Sequence, residues 1–355
     1  MKKIVSLILS VMLLCGVFAL TACGGGEQLP AGAYTEESLK ADFLSKADEV
    51  TVSATGVTFE DESTAATVTV SKNPAKVMNL YASFTTLWYE AGGSADWVIG
   101  GDSATALYEE QIGRDITADE GTEVIATTSS GRNWNTELIV SKQPNLIICS
   151  TAMSGYATIK DPAAAAGIPV IAMSYDDIHD YFKWFKVFCN ITGNEELWES
   201  VAMDTLDKVV GILMKAPMEN NPKIFSMFTS SGTSMEANLS GTVVGNMAKY
   251  LRATNIADGW WNEAQDIRLP INLESVYQAQ PEYILIQCHA EKETVETNIA
   301  AVYGDNAVWN ALDAVKNDKI FYLQKSLFHN KPNRKFAEAY KIMAEILYPD
   351  IDFGA

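Results

Sequence analysis

The feature that most constrains this chain is a local pattern written twice, 137 positions apart (135 to 272). The first copy runs Asn135-Thr136-Glu137, then Gln143-Pro144 and the apolar run Leu146-Ile147-Ile148-Cys149. The second runs Asn272-Leu273-Glu274, then Gln280-Pro281 and Tyr283-Ile284-Leu285-Ile286. Asn, Glu, Gln and Pro recur at identical offsets, and Ile147 matches Ile284. Each copy predicts one αβ unit. An Asn side chain caps free first-turn amides, an acid sits where the helix dipole favours it, proline ends the helix, and a buried strand follows. Runs of four or five apolar residues without alternation predict strands covered on both faces, as in parallel α/β layers. The expected fold class is therefore α/β, with two Rossmann-like lobes and a ligand cleft where they meet.

The N-terminus reads as an address, not as fold. Met1-Lys2-Lys3 precedes an apolar run of about 17 residues (4–20), which ends in Leu20-Thr21-Ala22-Cys23. A charged start, an apolar stretch and small residues before a cleavage point make 1–22 a secretory signal, with the run at the short limit for a membrane span. Its last four residues match the bacterial lipidation box. Two acyl chains on Cys23 anchor a soluble domain where one chain binds only reversibly. Gly24-Gly25-Gly26 is a flexible tether, and 23–49 is expected to be tether plus a short polar helix over 36–48. No later segment is long and apolar enough to span a membrane. Losing Lys2 and Lys3 takes the formal charge from −19 to −21, which excludes nucleic acid as a partner. The chain is expected to be an extracytoplasmic monomer held to the cell membrane by its N-terminal lipid. Cys149, Cys189 and Cys288 lie in apolar runs and read as small buried hydrophobes.

Further on, 50–70 alternates apolar and polar residues around turn formers and predicts an antiparallel hairpin that leads a first α/β lobe, 50–193. Strands are expected near 77–81, 97–100, 146–149 and 168–172. Asp176 is expected to cap a helix reaching about Ile191. Between the lobes, 194–216 places Leu197, Val201, Met203, Leu206, Val209, Val210 and Leu213 at three- and four-residue steps. That periodicity predicts one amphipathic linker helix of about 20 residues, roughly 30 Å long, joining the lobes stiffly. The second lobe, 217–355, is expected to hold helices over 242–251, 308–315 and 333–347.

Taken together, these stretches resemble a class III solute-binding lipoprotein, the group that feeds ABC importers of ferric siderophores, haem and vitamin B12. The resemblance rests on the lipidation box, Pro74-Ala75-Lys76-Val77, the two repeated units and the segment between the lobes. Trp309-Asn310-Ala311-Leu312-Asp313-Ala314-Val315-Lys316 completes it. It implies permease subunits as partners and an iron complex or tetrapyrrole as ligand. It also implies that the acid of each repeat, Glu137 and Glu274, docks on permease arginines. Offsetting a helix dipole, worth about 0.3–1 kcal/mol, accounts for the same two acids without excluding docking.

Ligands of open α/β sheets meet the loops beyond the carboxyl ends of the strands. The candidates there are Tyr81, Ser83, Arg132, Trp134 and Met153 in the first lobe. The second lobe offers Ser231, Trp260, Arg268, His289 and His329. Arg132 and Arg268 stand just ahead of the two repeats and offer fixed donors for an acid group; a surface ion pair is the alternative for each. The tryptophans offer flat apolar surface for a ringed ligand. His289, His329, Tyr81 or Tyr322 could ligate iron, whereas His179, beside Asp177 and Asp180, is expected to be a solvated surface residue. Three scattered histidines argue against a dedicated zinc or manganese site but leave room for a mixed one, so a metal-binding protein of the same transporter class stands as an alternative; no resident cofactor is expected. The expected ligand is a ferric siderophore, then haem, then a corrinoid. No P-loop, GxGxxG, HExxH or GxSxG pattern occurs, so catalytic residues are not assigned, with a secreted lipoprotein hydrolase as the alternative from another class.

Overall fold

A computed structural model describes residues 34–354, apart from 62–65, 128–133, 220, 230–231 and 261–266. Cys23, Arg132 and Ser231 lie outside the described residues. The described chain opens with α1 (Glu36–Asp48), whose Thr35 cap accepts from the Ser38 amide. A small antiparallel sheet follows, of β1 (Thr51–Val52), β2 (Gly56–Asp61) and β3 (Ala66–Ser71). Strands and helices then alternate: β4 (Val77–Asn79), α2 (Ala82–Glu90), β5 (Trp97–Gly100), α3 (Asp102–Ile112), β6 (Glu123–Thr127) and α4 (Thr136–Ser141). β7 (Leu146–Ser150), α5 (Ser154–Ala165), β8 (Val170–Met173) and α6 (Ile178–Thr192) complete this half. The five strands β4 to β8 form one wholly parallel sheet in the order β6-β5-β4-β7-β8.

The segment between the sheets opens as a π-helix, Trp198–Met203, and continues as α7 (Asp204–Lys215). The apolar positions read from the sequence are the buried ones in α7, including Leu206, Val209, Val210 and Leu213. The wide first turns are what a uniform 3.6-residue period does not disclose.

The second half runs β9 (Lys223–Thr229), β10 (Met235–Asn238), α8 (Val243–Tyr250), β11 (Thr254–Asn255), β12 (Arg268–Pro270), α9 (Leu273–Ala279) and β13 (Tyr283–Cys288). It ends with α10 (Lys292–Tyr303), α11 (Ala307–Asn310), α12 (Asp313–Lys316), β14 (Ile320–Leu323), α13 (Lys325–Phe328) and α14 (Phe336–Leu347). β9, β13 and β14 are parallel neighbours, with β11 beside β9, while β10 runs antiparallel between β9 and β12.

The repeated pattern forms the same unit in both halves. Asn135 accepts from the Leu138 amide at 3.0 Å and Asn272 from the Ser275 amide at 3.1 Å. β7 and β13 are buried at every residue and flanked by parallel strands on both sides. Gln143 and Gln280 both take left-handed backbone, at φ 50° and 45°, ahead of their prolines. Proline excludes its predecessor from right-handed helix, so each helix stops at the same kind of corner. Cys149, Cys189 and Cys288 are buried free thiols.

Three local expectations are corrected. Asp177, not Asp176, caps α6; it accepts from the amides of His179 and Asp180, and Asp180 closes a capping box. The expected helix over 308–315 is two short turns, because Leu312 is extended and its side chain is fully buried in the core of the second half. His179 is not a solvated residue: its side chain is 13% exposed and lies against Asp177 and Asp42, at 3.1 and 3.5 Å. Burial opposes its charge, but the hydrogen bonds to Asp177 and Asp42 outweigh that and raise it to about 9.

The two sheets share no strand, yet Gly32–Ala355 is one compact unit. Part of the reason is the chain beyond α13, which returns to the first half. The buried Asn333 amide donates to Ser83 O, Thr86 Oγ1 and Gln111 Oε1, at 3.4, 2.9 and 3.3 Å. Gln111 in turn donates to Lys331 O at 2.9 Å. Phe336 at the start of α14 then packs on Tyr181 and Tyr175, with ring centres 5.4 and 6.4 Å apart.

Candidate functional site

The carboxyl ends of the parallel strands deliver a cluster that the sequence had scattered. Phe228, near the end of β9, is at its centre. The Arg268 guanidinium lies over that ring at 4.2 Å, and His329 stacks on it at 5.6 Å between centres, tilted by 19°. His289, just past β13, meets His329 through Nδ1 and Nε2 at 3.0 Å.

Neither imidazole carries charge at neutral pH. Burial, followed by the neighbouring His289 and cations, pushes His329 down to about 3; burial and Lys325 lower His289. Two neutral rings together hold two N–H groups and two lone pairs. Their mutual hydrogen bond uses one of each, so one ring nitrogen is left with a lone pair to offer.

Arg268 is fixed from one side only. Its Nε donates to Asn238 Oδ1 at 2.9 Å, and Nη2 reaches Gln287 Oε1 at 3.5 Å. Both amides are themselves held: Asn238 Nδ2 donates to Gln287 Oε1 at 3.0 Å, and Gln287 Nε2 to Phe328 O at 2.6 Å. Asn238 and Gln287 are buried polar residues, so the arginine stands on a rigid, neutral base. No described carboxylate forms an ion pair with it.

The first half faces this cluster with its own strand ends. Tyr81 caps α2 just beyond β4, and Asp176 follows β8. Burial, with the Asp176 charge, raises the Tyr81 hydroxyl. Lys331 Nζ reaches across to 3.8 Å from Asp176 Oδ1 and lies 5.3 Å above the Tyr175 ring. Burial lowers the Lys331 ammonium, with Asp176 and Asp180 acting the other way. Lys331 has left-handed backbone, φ 72°, a strained corner that costs on the order of 1–3 kcal/mol in a non-glycine residue.

Of the residues expected to meet ligand, Arg268, His289 and His329 are brought together, while Tyr81 packs on Phe84 and feels the same Asp176 charge that acts on Arg268. Met153 is half-buried at the head of α5. Trp134 is 6% exposed, and its ring lies where a Cβ on Gly155 would sit, 2.5 Å away. Its Nε1 is buried without a partner among the described residues. Ser83 is 5% exposed and its carbonyl belongs to the Asn333 network. Trp260 packs on the core of the second half, 6.1 Å from Phe225, away from the Phe228 end of β9. Glu137 and Glu274 are exposed in the first turns of α4 and α9.

Sequence reasoning missed Phe228, Asp176, Asn238 and Gln287, and placed Lys331 in a cleft loop without singling it out. Phe228, Asn238 and Gln287 lie inside apolar or strand-like stretches, where nothing marks a residue as facing a cleft. Among the described residues no group of three or more His, Cys, Asp and Glu could hold a metal ion. No described helix is long and apolar enough to cross a membrane.

Comparison with known proteins gives a consistent picture. The family model described as periplasmic binding protein matches residues 79–327. An uncharacterized ABC transporter substrate-binding lipoprotein, YvrC of Bacillus subtilis, is 22% identical over 301 residues, covering 83% of this chain and 86% of that one. The crystal structure of S. aureus IsdE complexed with heme is similar with a TM-score of 0.61 at 15% identity, covering 77% of this chain and 98% of that chain. That of Helicobacter pylori CeuE, described as a Ni-His complex, has a TM-score of 0.59 at 14% identity, covering 83% and 89%.

Proposed function

The chain belongs to the periplasmic binding protein family, and we propose that it captures an iron complex outside the cytoplasm and hands it to an ABC importer. In this reading Cys23 carries the lipid anchor, 50–193 and 217–355 act as two lobes, and 194–216 joins them. The ligand is a ferric siderophore or haem, seated between Tyr81 and the cluster of Arg268, His289 and His329. The observation that carries the proposal is that cluster: one fixed guanidinium and a pair of neutral imidazoles, all packed around Phe228 at the strand ends. Arginine suits the acid groups of such ligands, and an uncharged imidazole has the lone pair an iron centre accepts.

Delivery needs a contact with the permease. Exposed Glu137 and Glu274, at equivalent places in the two repeats, support docking on a pair of permease cations, one for each lobe. The similarity to a substrate-binding lipoprotein and to a haem-complexed protein favours the same reading. The test is a visible absorption titration of the mature chain with haemin, cyanocobalamin and several ferric siderophores. A saturable shift of the haem Soret band, or saturable tryptophan quenching by a ferric chelate, is expected. Saturation by cyanocobalamin alone would reject the iron-complex reading.

A further inference from the structure

The cations lining the cleft have no tight acid partner among the described residues. Arg268 and Lys331 supply two cations, and the imidazoles near them are neutral. Asp180 and Asp177 lie nearby but are committed: Asp180 bonds Lys46 Nζ at 2.5 Å and the amides of Asp176 and Asp177, while Asp177 holds His179. Glu236 bears on Arg268 without forming an ion pair. Asp176 is the one described carboxylate in ion-pair contact with either cleft cation. Two cations without a tight acid partner, in a chain of formal charge −19, are an arrangement with a purpose, because a poorly solvated charge left loosely paired costs free energy.

We propose that Asp176 is a resident counter-ion, holding the place of an acid group of the ligand, and that the cleft selects anions able to bridge Arg268 and Lys331. This rests on the cleft being the ligand site. The Asp176–Lys331 contact is loose, at 3.8 Å, longer than a hydrogen bond. The Asp176 side chain is 49% exposed, and its other oxygen accepts from Ser174 Oγ at 3.0 Å. It therefore has somewhere to go when displaced. Arg268 keeps an edge with no partner among the described residues, while its other edge is pinned to buried amides. A ligand carboxylate meets that free edge with little ordering cost. A neutral chelate gains nothing from the two cations and does not release Asp176. Asp176 thus sets a threshold that only an acid with better geometry than its own passes.

The test uses the mature chain and three probes by fluorescence titration and calorimetry: citrate, ferric citrate and a neutral ferric trishydroxamate. Asp176→Asn removes the competitor and is expected to tighten ferric citrate about fivefold, the scale of one partly exposed ion pair, while leaving the trishydroxamate unchanged. Arg268→Lys and Lys331→Met are expected to weaken both citrate probes at least tenfold. Asp176→Ser serves as a second variant, and melting curves confirm that each variant folds. Weaker or unchanged ferric citrate binding in both Asp176 variants makes the residue a positioner of Lys331 and overturns the proposal. So does equal, charge-independent binding of the neutral chelate, or no binding of either acidic probe at millimolar concentration. If citrate binds as tightly as ferric citrate with the same variant pattern, the anion site stands and the iron-complex reading falls.

Discussion

Replacing Glu90 by glutamine tests how the seam between the two halves is charged. The Glu90 side chain is 3% exposed, and its only hydrogen bond among the described residues is from the Arg334 amide to Oε2, at 3.3 Å. The Arg334 guanidinium stands 3.7 Å from Oε1, but that side chain is 51% exposed and its charge is shared with water. Burial wins over this attraction and raises Glu90 to about 8. A carboxyl whose folded value lies above its unfolded one contributes most below about pH 4.5 and loses that contribution as pH rises through about 8. At pH 7 the folded protein must hold a proton that the unfolded chain releases, a cost of about 3 kcal/mol. Glutamine keeps the shape and the acceptor without the ionisation. Glu90→Gln is therefore expected to be more stable than wild type by about 3 kcal/mol at pH 7 and no different at pH 4. Urea unfolding followed by the fluorescence of the eight tryptophans reads this directly. A variant less stable than wild type at pH 7 would mean that Glu90 is ionised and paired with Arg334, and the reasoning would fail.

Three further outcomes are expected. His179, raised to about 9, contributes about 3 kcal/mol that is present below pH 6.5 and lost as pH rises to about 9; an NMR titration midpoint near 6.5 would contradict this. Gly155→Ala puts a methyl group 2.5 Å from the buried Trp134 ring, which should cost about 1–3 kcal/mol in urea unfolding and shift tryptophan emission. Reversing both Glu137 and Glu274 to lysine should abolish uptake in whole cells and leave ligand affinity within about twofold, since exposed charges far from a site couple to it weakly; undiminished uptake would remove the docking assignment.

The sequence disclosed what is local and what is periodic. Asn135 and Asn272 could be read as caps because a cap is a contact three residues away, and β7 and β13 as buried strands because burial on both faces leaves no polar position. The helix over 36–48 and the hairpin after it were legible for the same reason. What remained hidden depends on pairs distant in sequence. Nothing in the Trp309 to Lys316 stretch says that Leu312 must turn extended to fill a core. His179 looked solvated because its immediate neighbours are acidic. Its burial comes from Phe43 and Asp42 on α1 and Tyr250 on α8. In the site, His289 and His329 were named singly, but that their nitrogens meet is set by β13 and β14 running side by side. By sequence Asp176 reads as a helix cap, which hides its place among the cleft residues; the cap role belongs to Asp177 one position later, and that shift is what frees Asp176.

The same distant contacts limit how the cleft can open. The segment carrying His329 and Lys331 is sequentially part of the second half, yet Gln111 and Asn333 pin it to α2 and α3 of the first by four buried or partly buried hydrogen bonds. α1 adds a second tie: Lys46 bonds Asp180 of α6, Lys40 pairs with Asp207 of α7 at 2.7 Å, and Asp42 accepts from Tyr250 of α8. Swinging the halves widely apart would strand these groups unpaired, at about 1–3 kcal/mol for each one left buried. Lys331 is therefore held to the first half, while Arg268 stays with the second, together with His289 and His329, which bond each other and pack on Phe228. A small shear changes the distance between the two cations of the cleft without breaking either tie. A ligand acid that bridges Arg268 and Lys331 would then be the contact that fixes that distance, and hence the spacing at which Glu137 and Glu274 are presented.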